Sequence, residues 1–123
     1  MTKHKIVHIE IPAENSAKAA EFYKELFGWQ VTVDERFNYS MWEPGVAPGG
    51  GFSPLGDSVK PGDVLIFVDS DDIEADLKRA EILGATTVRA KTEIPGIGWF
   101  GIFKDPTGNQ IALYTSLNPE YIK

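Results

Sequence analysis

Lys5-Ile-Val-His-Ile-Glu-Ile-Pro12 is the stretch from which the fold is read. Side chains alternate along an extended chain, so Val7, Ile9 and Ile11 face one way and Ile6, His8 and Glu10 the other. The apolar row needs a cover, and the next segment supplies one. Asn15 or Ser16 can cap a helix in which Ala19, Phe22, Tyr23, Leu26 and Phe27 recur at helical spacing, and Gly28 provides a left-handed stop. The spacing predicts a helix whose apolar stripe lies over Val7, Ile9 and Ile11. His8 and Glu10 are then left side by side on the opposite face, exposed to solvent or, where the sheet curves, lining a cleft. A histidine so placed is as readily a hydrogen-bonded structural group as a ligand.

The same plan returns further along. Val64-Leu-Ile-Phe-Val68 is a continuous apolar run fit for a buried strand. Asp71 or Asp72 caps a second helix with Ile73, Leu77, Ala80 and Leu83 on one face, and Gly84 ends it. Aligning Gly28 with Gly84, an offset of 56 residues, places Ala19 on Ala75, Leu26 on Ile82 and Phe27 on Leu83. Alternating segments at residues 29–33 and 37–43 predict a strand pair joined around Asp34-Glu-Arg36. From Pro44 to Pro61 the chain turns to glycine, proline and serine, predicting a rim strand near Gly50 to Ser53 and a loop. Residues 86–90, 99–103 and 111–115 complete the strands, with a tight turn at Asp105-Pro-Thr-Gly-Asn109. Each half thus reads βαβββ. The expected fold is α+β, a single domain over residues 1–123 made of two βαβββ half-modules, at about residues 4–56 and 62–116. Their strands are expected to form a curved mixed sheet whose helix-free faces line a cleft.

Composition removes several function classes. A chain of 123 residues with 42% hydrophobic content can bury one core without staples. It has no cysteine, which removes disulfides, thiolate ligands and a cysteine nucleophile and suits a reducing compartment. No apolar run approaches a membrane span and the N-terminus carries no signal-like segment, so the expected location is the cytoplasm. A formal charge of −6 with scattered basic residues argues against nucleic acid or an anionic membrane as partner. The run Asp69-Ser-Asp-Asp72 lacks the glycine and distal glutamate of a calcium loop and reads as a helix cap.

His8 lies fourteen residues before Phe22-Tyr23, and the helix ends in Leu26-Phe27-Gly28-Trp29. Ile94-Pro-Gly-Ile-Gly98 and Asp105-Pro-Thr-Gly-Asn109, each followed by a strand, complete a series spanning nearly the whole chain. In order and spacing it resembles the vicinal oxygen chelate superfamily of glyoxalase I, extradiol dioxygenases and bleomycin-resistance proteins, and in particular its small glyoxalase-related members. The resemblance implies a divalent metal ion held by strand residues at equivalent places in the two halves. His8 matches the first ligand position. The other positions are not met: Gly62-Asp-Val-Leu-Ile66 has no histidine, Ala112 stands where a glutamate is usual, and Gly49 to Ser53 has no carboxylate or imidazole. A lone imidazole does not hold a divalent ion, because catalytic sites need about three protein ligands. Glu10 and Asp63 are the candidate substitutes, so the expected metal site is incomplete and no cofactor is certain.

A cleft with His8 and Glu10 as polar handles and Tyr39, Trp42, Trp99 and Tyr114 as aromatic walls is the expected site. Any one of these aromatics is equally a core residue. Three functions are within reach: a metal-free protein that binds a small, partly apolar or planar molecule; a metal-dependent enzyme with a degenerate ligand set, either a lyase or isomerase related to lactoylglutathione lyase or a dioxygenase; and a non-enzymatic dimeric interaction module. A homodimer is expected from the resemblance.

Overall fold

The computed structural model describes residues 4–117. The chain packs as two compact units, residues 8–65 and residues 4–7 with 66–117. In the first half β1 (Ile6–Ala13) leads into α1 (Ser16–Phe27), followed by β2 (Gln30–Asp34), β3 (Tyr39–Glu43) and β4 (Gly49–Pro54). The strands lie in the order β2-β3-β4-β1, with β1 parallel to β4 and the other pairs antiparallel. The Asn15 side chain accepts from the Lys18 amide at 3.1 Å and begins α1. Gly28, at φ 73°, closes it by donating its amide to the Lys24 carbonyl.

Only part of the predicted α1 stripe meets the sheet. Ala20, Ala19 and Tyr23 pack with Ile9, Ile11, Phe52 and Trp42, whereas Phe22, Leu26 and Phe27 are exposed. An aromatic column explains the rotation of the helix. Trp29 stacks on Trp42 at 4.4 Å between ring centroids, and Tyr23 stacks on Trp29 at 5.4 Å and on Phe52 at 5.8 Å. With the space over the sheet filled by these rings, the helix presents its small Ala19 and Ala20 side to the strands. Larger side chains one step round the helix are turned outward.

In the second half β5 (Leu65–Asp69), α2 (Ile73–Ile82), β6 (Thr86–Ile94), β7 (Gly98–Lys104) and β8 (Gln110–Ser116) repeat the plan. The order is β5-β8-β7-β6, with β5 parallel to β8. Asp72 caps α2 by accepting from the Ala75 amide at 3.0 Å, as the acidic run predicts. Ile73 and Leu77 form the core with Leu113, joined by Val68, Trp99 and Phe103, while Ile82 and Leu83 are exposed. α2 lies close to β7 because Gly101 has no side chain: a Cβ there would stand 3.0 Å from Ile73 Cγ2. The Asp105 turn is held by its own carboxylate, which accepts from the amides of Thr107, Gly108 and Asn109 at 2.9 Å each. These bonds, that from Asn109 foremost, hold the Asp105 carboxyl below the usual range.

Ile73 is fully buried, so Ile73→Ala is expected to lower the unfolding free energy by about 3 kcal/mol. Ile82→Ala, on the exposed side of the same helix, should change it by no more than about 0.5 kcal/mol. Denaturant unfolding of the two variants measures both.

Candidate functional site

On the helix-free face of the first half, β1 presents His8 and Glu10 as the alternation requires. Their β4 neighbours are Gly49 and Gly51, and Met41 of β3 lies opposite Gly51. Gly49 and Gly51 add no side chain to this face, and the Tyr39 ring, at the start of β3, leans across Gly51. A Cβ on Gly51 would stand 1.8 Å from the Tyr39 hydroxyl oxygen. That hydroxyl donates to Glu10 Oε2 and lies 2.7 Å from His8 Nε2. His8 Nε2 and Glu10 Oε2 are themselves 3.5 Å apart.

The hydrogens in this trio follow from counting donors. A tyrosine has one hydroxyl proton, and here it goes to the carboxylate, so His8 Nε2 must carry a hydrogen to bond the tyrosine oxygen. Burial, then the neighbouring Glu10 charge, then the hydrogen bond to Glu10, hold the Tyr39 hydroxyl far above its ordinary pKa. Tyr39 is therefore a neutral donor throughout the physiological range. The side chains of His8 and Glu10 keep 27% and 20% of their exposure, so the trio is open to a small molecule while being held in place by its own bonds.

The opposite side of β4 has a different occupant. A Cβ on Gly50 would stand 1.9 Å from the Ile9 carbonyl oxygen and 2.4 Å from the Trp42 ring. Trp42, expected in the cleft, is instead buried in the α1-side core, with its indole N–H donating to the Gly51 carbonyl at 3.1 Å. The reason is parity: Trp42 is three residues from Tyr39 on a strand and faces the other way. Trp99 likewise packs with the α2-side core, where Lys91 Nζ lies 5.4 Å from its ring centroid. Tyr114 is half-buried on the helix-free face of the second half, opposite Phe100 in the register. Asp63 is exposed and accepts from the Lys60 amide at 3.0 Å, which makes it a turn residue.

Residues 7–114 match the glyoxalase-like domain family. The chain belongs to that family. It is accordingly a member of the vicinal oxygen chelate superfamily, and its two βαβββ halves are the halves of that fold. A glyoxylase-like domain-containing protein of Didymella fabae is 27% identical over 115 residues, covering 87% of this chain and 90% of its own. A glyoxalase/bleomycin resistance protein/dioxygenase superfamily member from Vibrio splendidus superposes with a TM-score of 0.66 at 14% identity, over 91% of this chain and 98% of its own. Methylmalonyl-CoA epimerase from Mycobacterium tuberculosis does so with a TM-score of 0.65 at 16% identity, over 92% and 88%. At these identities the two structures establish the fold.

Metals are common in the superfamily, and the donor set among the described residues does not fit one. Among the described residues no three His, Cys, Asp or Glu side chains stand close enough to share an ion. His8 and Glu10 are both turned to the Tyr39 hydroxyl.

Two neighbouring glycines should respond differently to substitution. Gly50→Ala meets backbone and is expected to destabilise the protein by about 3 kcal/mol. Gly51→Ala meets only the far end of the Tyr39 side chain, so the protein should fold with Tyr39 swung off Glu10 and His8. Unfolding curves and the histidine NMR signals distinguish the two. An unfolded tyrosine ionises near pH 10.0 while folded Tyr39 keeps its proton, so the wild-type protein should lose stability as pH rises past that value. Tyr39→Phe should remove that contribution to the slope, at a cost of about 2 kcal/mol at neutral pH from the lost charge-assisted bond.

Proposed function

We propose that this protein binds a small, partly apolar or planar molecule on the helix-free face of its first half, with His8, Tyr39 and Glu10 as its polar anchor. The supporting observation is the preorganised trio. A half-buried carboxylate and imidazole are locked in place by one tyrosine hydroxyl, over a strand stripped of side chains at Gly49 and Gly51. With the Tyr39 ring lying over Gly51, the site offers an aromatic edge beside its polar groups, so that the hydrogen-bonding end of a small molecule meets Glu10 or His8 while its apolar part rests against Tyr39. A ligand that takes these bonds finds partners already oriented, which lowers the ordering cost of binding. In this reading the metal site of the family is incomplete in this chain, and binding proceeds through protein groups. A cysteine-free acidic chain suits a cytoplasmic setting for it.

A second reading draws on the epimerases among the similar folds: a lyase, isomerase or dioxygenase that works at the same trio. In that case the bonds around Tyr39 would serve to hold Glu10 as a base.

Ligand-observed NMR with phenols, benzoates and aromatic amides tests the binding reading. We expect binders whose affinity falls about tenfold in Glu10→Gln and in Tyr39→Phe, one lost charge-assisted hydrogen bond each, and is unchanged in Lys78→Ala. Binders insensitive to all three variants would place the ligand site elsewhere. Zinc, nickel, manganese or iron binding by calorimetry that disappears in His8→Ala would overturn the incomplete-site reading and favour the enzyme.

A further inference from the structure

The hydrogens that bind the trio together are used up inside it. Tyr39 gives its one hydroxyl proton to Glu10 Oε2, and His8 Nε2 gives its hydrogen to the Tyr39 oxygen at 2.7 Å. Glu10 has a second oxygen, Oε1, to which nothing donates among the described residues. Among those residues no side-chain oxygen that lacks a hydrogen-bond partner is buried, and the Glu10 side chain keeps 20% of its exposure. Oε1 therefore faces solvent as an open acceptor, held in place by the bond that Oε2 receives.

No lysine or arginine among the described residues lies within ion-pair distance of Glu10. Arg36, in the turn before Tyr39, is held by both oxygens of Asp34, at 2.9 and 3.2 Å. The carboxylate of the trio is thus offered to a ligand without a protein cation to compete for it.

We propose, resting on the ligand site assigned to the trio above, that its ligand is a planar nitrogen cation of the amidinium or guanidinium kind. The donor count carries the assignment. An N–H of such a group meets Glu10 Oε1 in a charge-assisted bond, and Oε2 keeps acceptor capacity for a second N–H of the same fork. Glu10 is the register partner of Gly51, across which the Tyr39 ring leans, so the delocalised cation has an aromatic surface beside the carboxylate that binds it. A carboxylate or other oxyanion meets the reverse: its acceptors face the open acceptor of Glu10, and its charge has the same sign. The formal charge of −6 over the whole chain favours the same choice, drawing cations toward the surface and repelling anions. A neutral amide stands between the two, with the N–H groups of the cation and none of its charge.

Calorimetric titration of the full chain with three flat molecules of one shape, benzamidine, benzamide and benzoate, is the test, and the NMR signals of the His8 ring report whether each binds at the trio. Benzamidine is expected to bind about tenfold or more tighter than benzamide, and benzoate to show no binding. Glu10→Gln should close the gap between benzamidine and benzamide. Glu74→Gln, which removes the same charge from the exposed side of α2, should keep it and so separates a local bond from general attraction to an acidic protein. Circular dichroism checks that both variants fold, and the order of the three probes on the wild-type protein reads the preference without any variant. Benzoate that shifts the His8 signals and binds as tightly as benzamidine overturns the inference while leaving the ligand site standing. If none of the three binds, the preference for a cation falls, and the phenols tested above remain the measure of the site. Benzamidine that binds without moving the His8 signals, or equally well in Glu10→Gln, sits elsewhere and overturns both.

Discussion

The three glycines that open β4 carry the first half of this protein. Gly50 lets the Trp42 ring and the Ile9 carbonyl close on one side of β4, and Gly51 lets Tyr39 close on the other. The two rings come from one short strand, three residues apart, and so must face opposite ways. One consequence is the stacked column of Trp42, Trp29, Tyr23 and Phe52 that sets how α1 lies on the sheet. The other is the bond from Tyr39 to Glu10 and its contact with His8, which turns two ionisable groups of β1 into one fixed unit. Glycine in a strand is costly in chain entropy and is kept where something must approach the backbone closely. Here two aromatic rings do so.

The second half repeats the plan with a different solution. Its core rests on Ile73, Leu77 and Leu113, and one glycine, Gly101, lets α2 sit against β7. The helix-free face of its strands carries Phe100 and Tyr114 opposite each other on β7 and β8. The two halves therefore share backbone plan while dividing their chemistry unequally: polar anchors stand on the first and aromatic surface on the second. Membership of the glyoxalase-like domain family accounts for the shared plan, and the unequal chemistry is this chain's own.

Period-two alternation, helix caps and terminating glycines were enough to place both helices and all of the strands to within a few residues, because these signals are local. The offset relating Gly28 to Gly84 was likewise readable without coordinates. His8 and Glu10 on one face followed from alternation alone. Less was legible about the aromatics. Each of Trp42, Trp99 and Tyr114 could be core or site by type, and the choice depended on strand parity and register, where an error of one residue reverses the face. Trp42 and Trp99 went to the cores for that reason. The run Gly49-Gly50-Gly51 was the available signal for a close approach, and its composition pointed only to a rim strand beside a loop.

What the sequence by itself determined is the plan of each half, the separation of apolar and polar faces on β1, the absence of cysteine and the residue types at the positions where the resemblance expects ligands, such as Ala112. Each of these depends on residue type and spacing along the chain. Tertiary structure alone decided that Tyr39 joins Glu10 to His8, across about thirty residues of sequence, and that Asp63 belongs to a turn. It also decided which side of α1 is buried. Helical periodicity offers an apolar arc from Ala19 round to Phe27, and the arc is wider than the contact the sheet can give it. Competition for the space above β1, β3 and β4 was won by Tyr23, Trp29 and Trp42, so Phe22 and Leu26 were left facing outward.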